Sequence, residues 1–538
     1  MNFHIKTSIN NMDKKEIGNI PMDADNTNLA AATPSYSNPA GAEYPVIAYN
    51  NVKLPTVNDS LTEEAERKLK GLLNSVKACG FNANIWDCGN PGQESLLRKN
   101  FEMSALLGLR TILHISGYLP SVVKIESDAV TYSPAIQELE TLLNRYKGIE
   151  NLWGYSLMYE PHYLSWAFEP PAPPVGLPNI TLAYRTFLNN ANGHMAFFNL
   201  AVDVRNREFV GDELVSNTSL TEPQKFLSYL DEIREKLNPP MMSVDMYPTF
   251  ITNEPPYFTI LYRYYFSLET IGRFSTQHNI PFWMFMLSNQ HSGYNNKATP
   301  KVRDMEYPFP SESVLRFQAM TALSFGFQGI VFWTYGLPDS SFEKECDCWT
   351  DCCYADYWKT KGKKEYNFTC KCECNVIPKP NVYYYNAPFV NGCSTEIWNN
   401  CKAVIPDIKF YGKELLNARF QGSRHVYGPL LREPFKHTVA FSSPFGCIIR
   451  ASASGRGFVI THLKKGSKNY MAIVSHDPYN EQDVTLTFAA CSKWTEIKPE
   501  NATDEAYINS QSAHRVESAE SRSIPRKLKP GGIILISY

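Results

Sequence analysis

The chain of 538 residues is 43% hydrophobic, so it can bury large cores and is too long for one compact domain; two or three domains follow. Its 52 Lys and Arg stand against 54 Asp and Glu, a formal charge of −2 with no long block of one sign, which leaves a nucleic-acid or anionic-membrane partner without support. Aromatics reach 13%, which fits either a surface that stacks on ring-shaped ligands or a core rich in rings.

Residues 1–43 are rich in Asn, Ser, Ala, Pro and Asp, hold no apolar run suited to a signal-peptide core, and read as a disordered leader. From 44 to 423 one theme repeats: a short β-rich apolar run, a polar loop, then a helical period. The runs are Tyr44–Tyr49, Phe81–Trp86, Arg110–Ser116, Leu152–Met158, Met195–Val202, Met241–Tyr247, Pro281–Leu287 and Gly329–Tyr335. Helical periods lie at Leu61–Lys77, Ser133–Tyr146, Gln224–Leu237, Thr259–Gln277 and Ser311–Phe325, with N-caps expected at Ser60, which has Glu63 three residues on, and at Ser311. Eight such units predict an α/β fold, a (β/α)₈ TIM barrel, with a doubly wound open sheet as the alternative.

Neither a G-x-G-x-x-G motif nor a P-loop follows the first run, so no nucleotide cofactor is expected. The stretch nearest a membrane span, Ala319–Leu337, is interrupted by Gln328 between Gly326 and Gly329 and reads as soluble core, not a transmembrane segment. The last barrel helix is expected at Ile405–Phe420, which makes 338–404 an insertion after the eighth run, over the barrel mouth. It carries Cys346, Cys348, Cys352, Cys353, Cys370, Cys372 and Cys374, with Cys393 and Cys401 beside them. The spacings C-x-C, C-x₃-C-C and C-x-C-x-C match no tetrahedral zinc motif, so disulfides are favoured and no metal site is expected. Asn-x-Ser/Thr sequences at Asn58, Asn179, Asn217, Asn367 and Asn501 agree with a secreted or otherwise extracytoplasmic chain. Beyond 424 the pattern turns to short alternating strands, Phe458–His462, Tyr470–Ser475, Val484–Phe488 and Ile533–Tyr538, which predict an antiparallel β-sandwich over 424–538.

In such a barrel the chemistry lies just past the C-terminal strand ends. The fourth run leads into Glu160-Pro161, where the proline holds Glu160 extended at the lip, and the sixth into Asp245-Met-Tyr247-Pro248. The seventh leads into Ser288-Asn-Gln290-His and on to Glu312, at the mouth-side start of the next helix. Two carboxylates across an aromatic-lined cleft are what glycosidic hydrolysis requires. Each also has a plain structural role open to it: Glu160 capping a loop or pairing with an arginine, Asp245 closing a turn, Glu312 complementing a helix dipole. Trp86, Trp166, Tyr247, Trp333 and Tyr335 are candidate sugar platforms, although Trp333 and Tyr335 alternate along one strand and could equally fill the interior.

Gly154-Tyr-Ser-Leu-Met-Tyr-Glu160-Pro161, Asp245-Met-Tyr-Pro248, Ser311-Glu312 with Arg316-Phe-Gln, and Gly326-Phe-Gln-Gly-Ile-Val-Phe-Trp333-Thr-Tyr335 resemble bacterial-type (β/α)₈ glycoside hydrolases of clan A. The C-terminal segment is similar to the β-sandwiches these enzymes often carry. The resemblance implies hydrolysis of a β-linked oligosaccharide or polysaccharide, with Glu160 as general acid/base and no cofactor. It departs after the seventh strand, where clan A places a nucleophilic Glu and this chain has Gln290. The second carboxylate then falls to Asp245 or Glu312, or the protein is a carbohydrate-binding pseudoenzyme. A disulfide-rich adhesin built on 346–374 is a third expectation.

Overall fold

A computed structural model describes residues 43–538 apart from 51–53, 88–93, 116–121, 160–183, 202–218, 252–257, 292–306, 338–383, 391–392, 490–493, 500–521 and scattered positions of one or two residues. Residues 1–42 of the expected leader, the seven clustered cysteines, Trp166 and all five Asn-x-Ser/Thr asparagines therefore lie outside the described residues, as does Glu160.

Eight parallel strands close into a barrel: β1 (Val46–Asn50), β2 (Ala83–Asp87), β3 (Arg110–His114), β4 (Leu152–Tyr159), β5 (Met195–Ala201), β6 (Met242–Asp245), β7 (Phe282–Leu287) and β8 (Gly329–Leu337), paired in chain order, with β8 returning to β1. Helices stand between them: α1 (Glu63–Cys79), α2 (Glu94–Leu106), α3 (Ala135–Tyr146), a stretch at 186–190, α4 (Glu222–Leu237), α5 (Tyr264–His278) and α6 (Glu312–Ser324), while α7 (Glu396–Leu415) follows β8. Each apolar run falls on a strand, because a barrel strand buried on both faces needs apolar residues throughout.

The chain falls into two compact units. In the first, Ile112–Met242 with shorter pieces, α3 buries Leu139, Leu142, Leu143 and Tyr146, and α4 buries Phe226, Tyr229, Leu230, Ile233 and Leu237, the 3.6-residue stripe of a surface helix. At the start of α4 the Thr221 N–H donates to Gln224 Oε1 at 2.8 Å, half of a capping box. Gly154 lets β4 approach β5, since a Cβ there would lie 2.2 Å from the Met195 carbonyl oxygen.

The second unit comprises Asn38–Asp87, Gln93–Thr111 and Ser243–Tyr538. Inside its part of the barrel, Trp283 of β7 packs onto Gly329 of β8, and the Tyr49 and Phe285 rings meet at 6.3 Å. Thr62, not Ser60, caps α1 by accepting from the Ala65 N–H at 3.1 Å, because Ser60 is drawn into a two-residue pairing with Thr56–Val57. Thr249–Ile251 and Phe258–Ile260 form a hairpin, so α5 starts at Tyr264 instead of Thr259. The last barrel helix begins at Glu396 and ends at Leu415, earlier than expected, with Pro406 in its interior instead of its first turn.

Arg419–Tyr427, which overlaps the end of the expected helix, is strand β9 and pairs antiparallel with β11 (Gly457–Lys465). With β10 (Ile448–Ala453), β12 (Lys468–Ser475), β13 (Gln482–Phe488), β14 (Thr495–Ile497), β15 (Arg522–Leu528) and β16 (Ile533–Ser537) it forms two antiparallel sheets, ordered β9-β11-β12-β16-β14 and β10-β13-β15. Alternate residues of facing strands fill the space between them: Phe458 and Ile460, Met471 and Ile473, Val484, Leu486 and Phe488, Ile534 and Ile536. Pro525 is tolerated because β15 is an edge strand.

Candidate active site

In the second unit the sixth and eighth strand ends come together. Asp245, half-buried, is the last residue of β6, and the chain turns at Met246 to present Tyr247. The Tyr247 ring lies nearly parallel to Trp333 of β8, with centroids 5.6 Å apart and planes 16° apart, and meets Tyr307 edge-on at 5.5 Å. All three are partly exposed, so they form an open aromatic shelf two residues past Asp245. Tyr307, from the loop before α6, had no sequence signal beyond being an aromatic in the seventh βα loop. Strand seven is held in place from behind: Gln318 of α6 accepts from the Leu287 N–H at 2.9 Å and donates to the Leu287 carbonyl at 3.1 Å. The Ser288 N–H donates to the Trp333 carbonyl at 2.8 Å, which ties β7 to the strand carrying the shelf.

Three expected site residues sit elsewhere. Trp86 is 1% exposed. Asn84, two residues before it, donates to Ser104 Oγ of α2 at 3.2 Å, so alternation puts Trp86 on that same helix-facing side of β2. Asp87 falls on the opposite, inward side of the strand, half-buried at its end. Tyr335 is fully buried, its hydroxyl 2.7 Å from Ser75 Oγ of α1 and its ring edge-on to Phe81 at 5.1 Å. Burial holds its phenol well above the usual range, as expected of a group that never meets water. Glu312 opens α6, where its carboxylate pairs with Arg316 at 2.7 Å; Arg316 also reaches Asp407 of α7 at 3.2 Å. That geometry is the dipole-complementing, helix-facing role.

The side chain of Gln290 lies outside the described residues, while its backbone pairs antiparallel with Asn386. In the first unit Tyr159 is the last residue of β4, so Glu160 is the first residue past the fourth barrel strand. At the end of β3, His114 Nδ1 is 3.0 Å from Ser156 Oγ, both buried, a polar pair that the sequence did not mark. Among the described residues no group of three or more His, Cys, Asp or Glu is placed to hold a metal ion, and no described helix is long and apolar enough to cross a membrane. Cys79, Cys401 and Cys447 are free thiols, each buried.

No protein-family model and no curated protein matches the sequence. Among solved structures the chain is similar to a family 1 β-glucosidase from Thermotoga maritima, with 10% identity over 56% of this chain and 90% of that one and a TM-score of 0.35. It is also similar to a monomeric β-xylosidase from Caulobacter crescentus, with 8% identity over 92% and 95% of the two chains and a TM-score of 0.38.

Proposed function

We propose that the protein hydrolyses β-linked glycosidic bonds of an oligosaccharide or polysaccharide, with Glu160 as general acid/base and Asp245 as the second carboxylate. The observation that carries this reading is the join of Asp245 to the Tyr247–Trp333 stack at the mouth end of a closed (β/α)₈ barrel. Flat aromatic faces suit the axial C–H faces of a sugar ring, and a carboxylate beside them is where anomeric chemistry needs it. Glu160 delivers its proton to the glycosidic oxygen as the C1–O bond breaks. As that bond breaks, Asp245 either bonds to C1, to be displaced afterwards by a water that Glu160 deprotonates, or takes the proton of a water that attacks C1 directly, according to a carboxyl separation of about 5–5.5 Å or about 6.5–9.5 Å.

Turnover of aryl β-glycosides by single variants tests the assignment. Asp245→Asn is expected to be inactive, at least a hundredfold down, while Glu312→Gln stays within threefold of wild type, because it loses only a partly exposed ion pair worth about 0.2–1 kcal/mol. An inactive Glu312→Gln beside an active Asp245→Asn would reverse the two roles. The second reading, a carbohydrate-binding pseudoenzyme, draws on Gln290, since the end of strand seven carries no carboxylate; it predicts glycan binding by wild type with no turnover of any glycoside.

The 346–374 cysteines are proposed as disulfides in an extracytoplasmic chain. Intact-mass measurement is expected to show a gain of roughly two mass units per bridge on reduction, whereas stoichiometric zinc would replace this with a metal site in a reducing compartment.

A further inference from the structure

Strand six leaves the barrel wall before strand seven ends. The Met246 N–H donates to the Phe285 carbonyl at 3.5 Å, and the next residue, Tyr247, is already turned onto Trp333. Successive backbone N–H groups of a strand point to opposite edges. The Ser288 N–H donates to the Trp333 carbonyl of β8 at 2.8 Å, so the N–H and carbonyl of Leu287 point to the other edge, towards the departing strand six. Leu287 is buried, and both groups need partners there.

Gln318 of α6 supplies them. Its Oε1 accepts from the Leu287 N–H at 2.9 Å and its Nε2 donates to the Leu287 carbonyl at 3.1 Å, the pair of bonds that a neighbouring strand would make. One carboxamide thus continues the ladder past the point where strand six turns away. Gln318 is 1% exposed, and its Nε2 also lies 3.5 Å from the Val314 carbonyl, one turn back on α6. The helix that carries it is itself anchored: Arg316 reaches Asp407 of α7, and Gly531 sits so close that a Cβ there would come 2.3 Å from the Ser313 carbonyl oxygen. The end of strand seven therefore rests on a fixed support, and the Ser288 bond passes its position on to Trp333.

We propose that Gln318 is a positioning residue for the aromatic shelf: by standing in for strand six it frees the chain at Met246 to present Tyr247, and through Leu287 and Ser288 it fixes Trp333 against that ring. The shelf then depends on a helix residue that touches no ligand. This rests on the reading of the shelf as the surface that binds a sugar ring, and the test separates the two.

In the full-length chain, Gln318→Met, which keeps the length of the side chain and removes both hydrogen bonds, is expected to raise KM at least fivefold on the aryl β-glycoside that wild type turns over fastest, with kcat changed less than threefold. A shelf holds ground state and transition state alike, so its loss is read in KM. In a Trp333→Ala background the same substitution is expected to change KM less than twofold, since the residue it acts through is gone. Ile473→Val, a sandwich-core change, controls for stability: it lowers the melting temperature and leaves KM unchanged. The near-UV circular dichroism removed by Trp333→Phe, measured in wild-type and Gln318→Met backgrounds, reports the Tyr247–Trp333 stack without any turnover, and it is expected to differ between the two. Wild-type KM in Gln318→Met, or an effect of equal size with and without Trp333, overturns the proposal. If wild type turns over no glycoside, the hydrolase reading fails and the dichroism alone decides the brace, identical difference spectra overturning it. Should Gln318→Met not fold, Gln318→Glu, which keeps the acceptor for the Leu287 N–H and gives up the donor, replaces it with the same outcomes.

Discussion

Glu160→Gln is expected to fold as wild type does and to lose ~10²–10⁴-fold in kcat on glycosides with poor leaving groups. Gln keeps the size of Glu and removes the proton that the departing oxygen needs. The size of the loss depends on that need: an aryl leaving group that is stable as an anion requires little protonation, so the deficit shrinks as leaving-group acidity rises. A loss of equal size across a series from alkyl to dinitrophenyl glycosides would leave Glu160 without the acid role. No change at all would end the hydrolase reading for this residue.

Acidification from pH 6.5 toward 3 is expected to destabilise the protein through two histidines that join the sandwich to α5. His425 Nδ1 and His476 Nε2 lie 3.0 Å apart, both buried, with the Tyr265 ring against each at about 5 Å. Desolvation lowers the His425 pKa to about 3 and holds His476 well below its usual value, the neighbouring His425 adding to the effect. The other groups facing the pair are the Tyr427 ring, the Phe435 ring and the Arg456 backbone, none of which offers an anion to compensate a proton. Below pH 6.5 the unfolded histidines bind protons and the folded ones do not, so stability falls as pH falls through this window. The slope is about 1.4 kcal/mol per pH unit for each histidine. Calorimetric unfolding between pH 7 and 4 measures it, and His425→Leu is expected to flatten the curve by about half. A curve of equal slope in wild type and variant would show that the pair is not responsible.

The barrel was legible because each of its strands is buried on both faces and must be apolar throughout. Runs such as Gly329–Tyr335 and Pro281–Leu287 carry that requirement in one dimension. What the sequence blurred were element ends: Ser60 satisfies a capping pattern, yet the cap went to Thr62 once Ser60 found a strand partner. The β9 segment, Arg419–Tyr427, alternates weakly and follows a helix, so only its pairing with β11 reveals it as a strand.

At the site, chain order alone reveals which residues follow strands four and six, and that aromatics stand at Tyr247 and Trp333. Chain order suffices for that, since parallel strands joined by helices all finish at the same end. Which candidates share a surface follows from the packed fold. The facing of a strand residue depends on register and on what packs behind it, so Trp86 and Tyr335 turn into the helix layer while Tyr247 and Trp333 meet at the mouth. The reach of Arg316 to Asp407 of α7, beyond its i,i+4 pairing with Glu312, is likewise a long-range contact that a local pattern cannot encode.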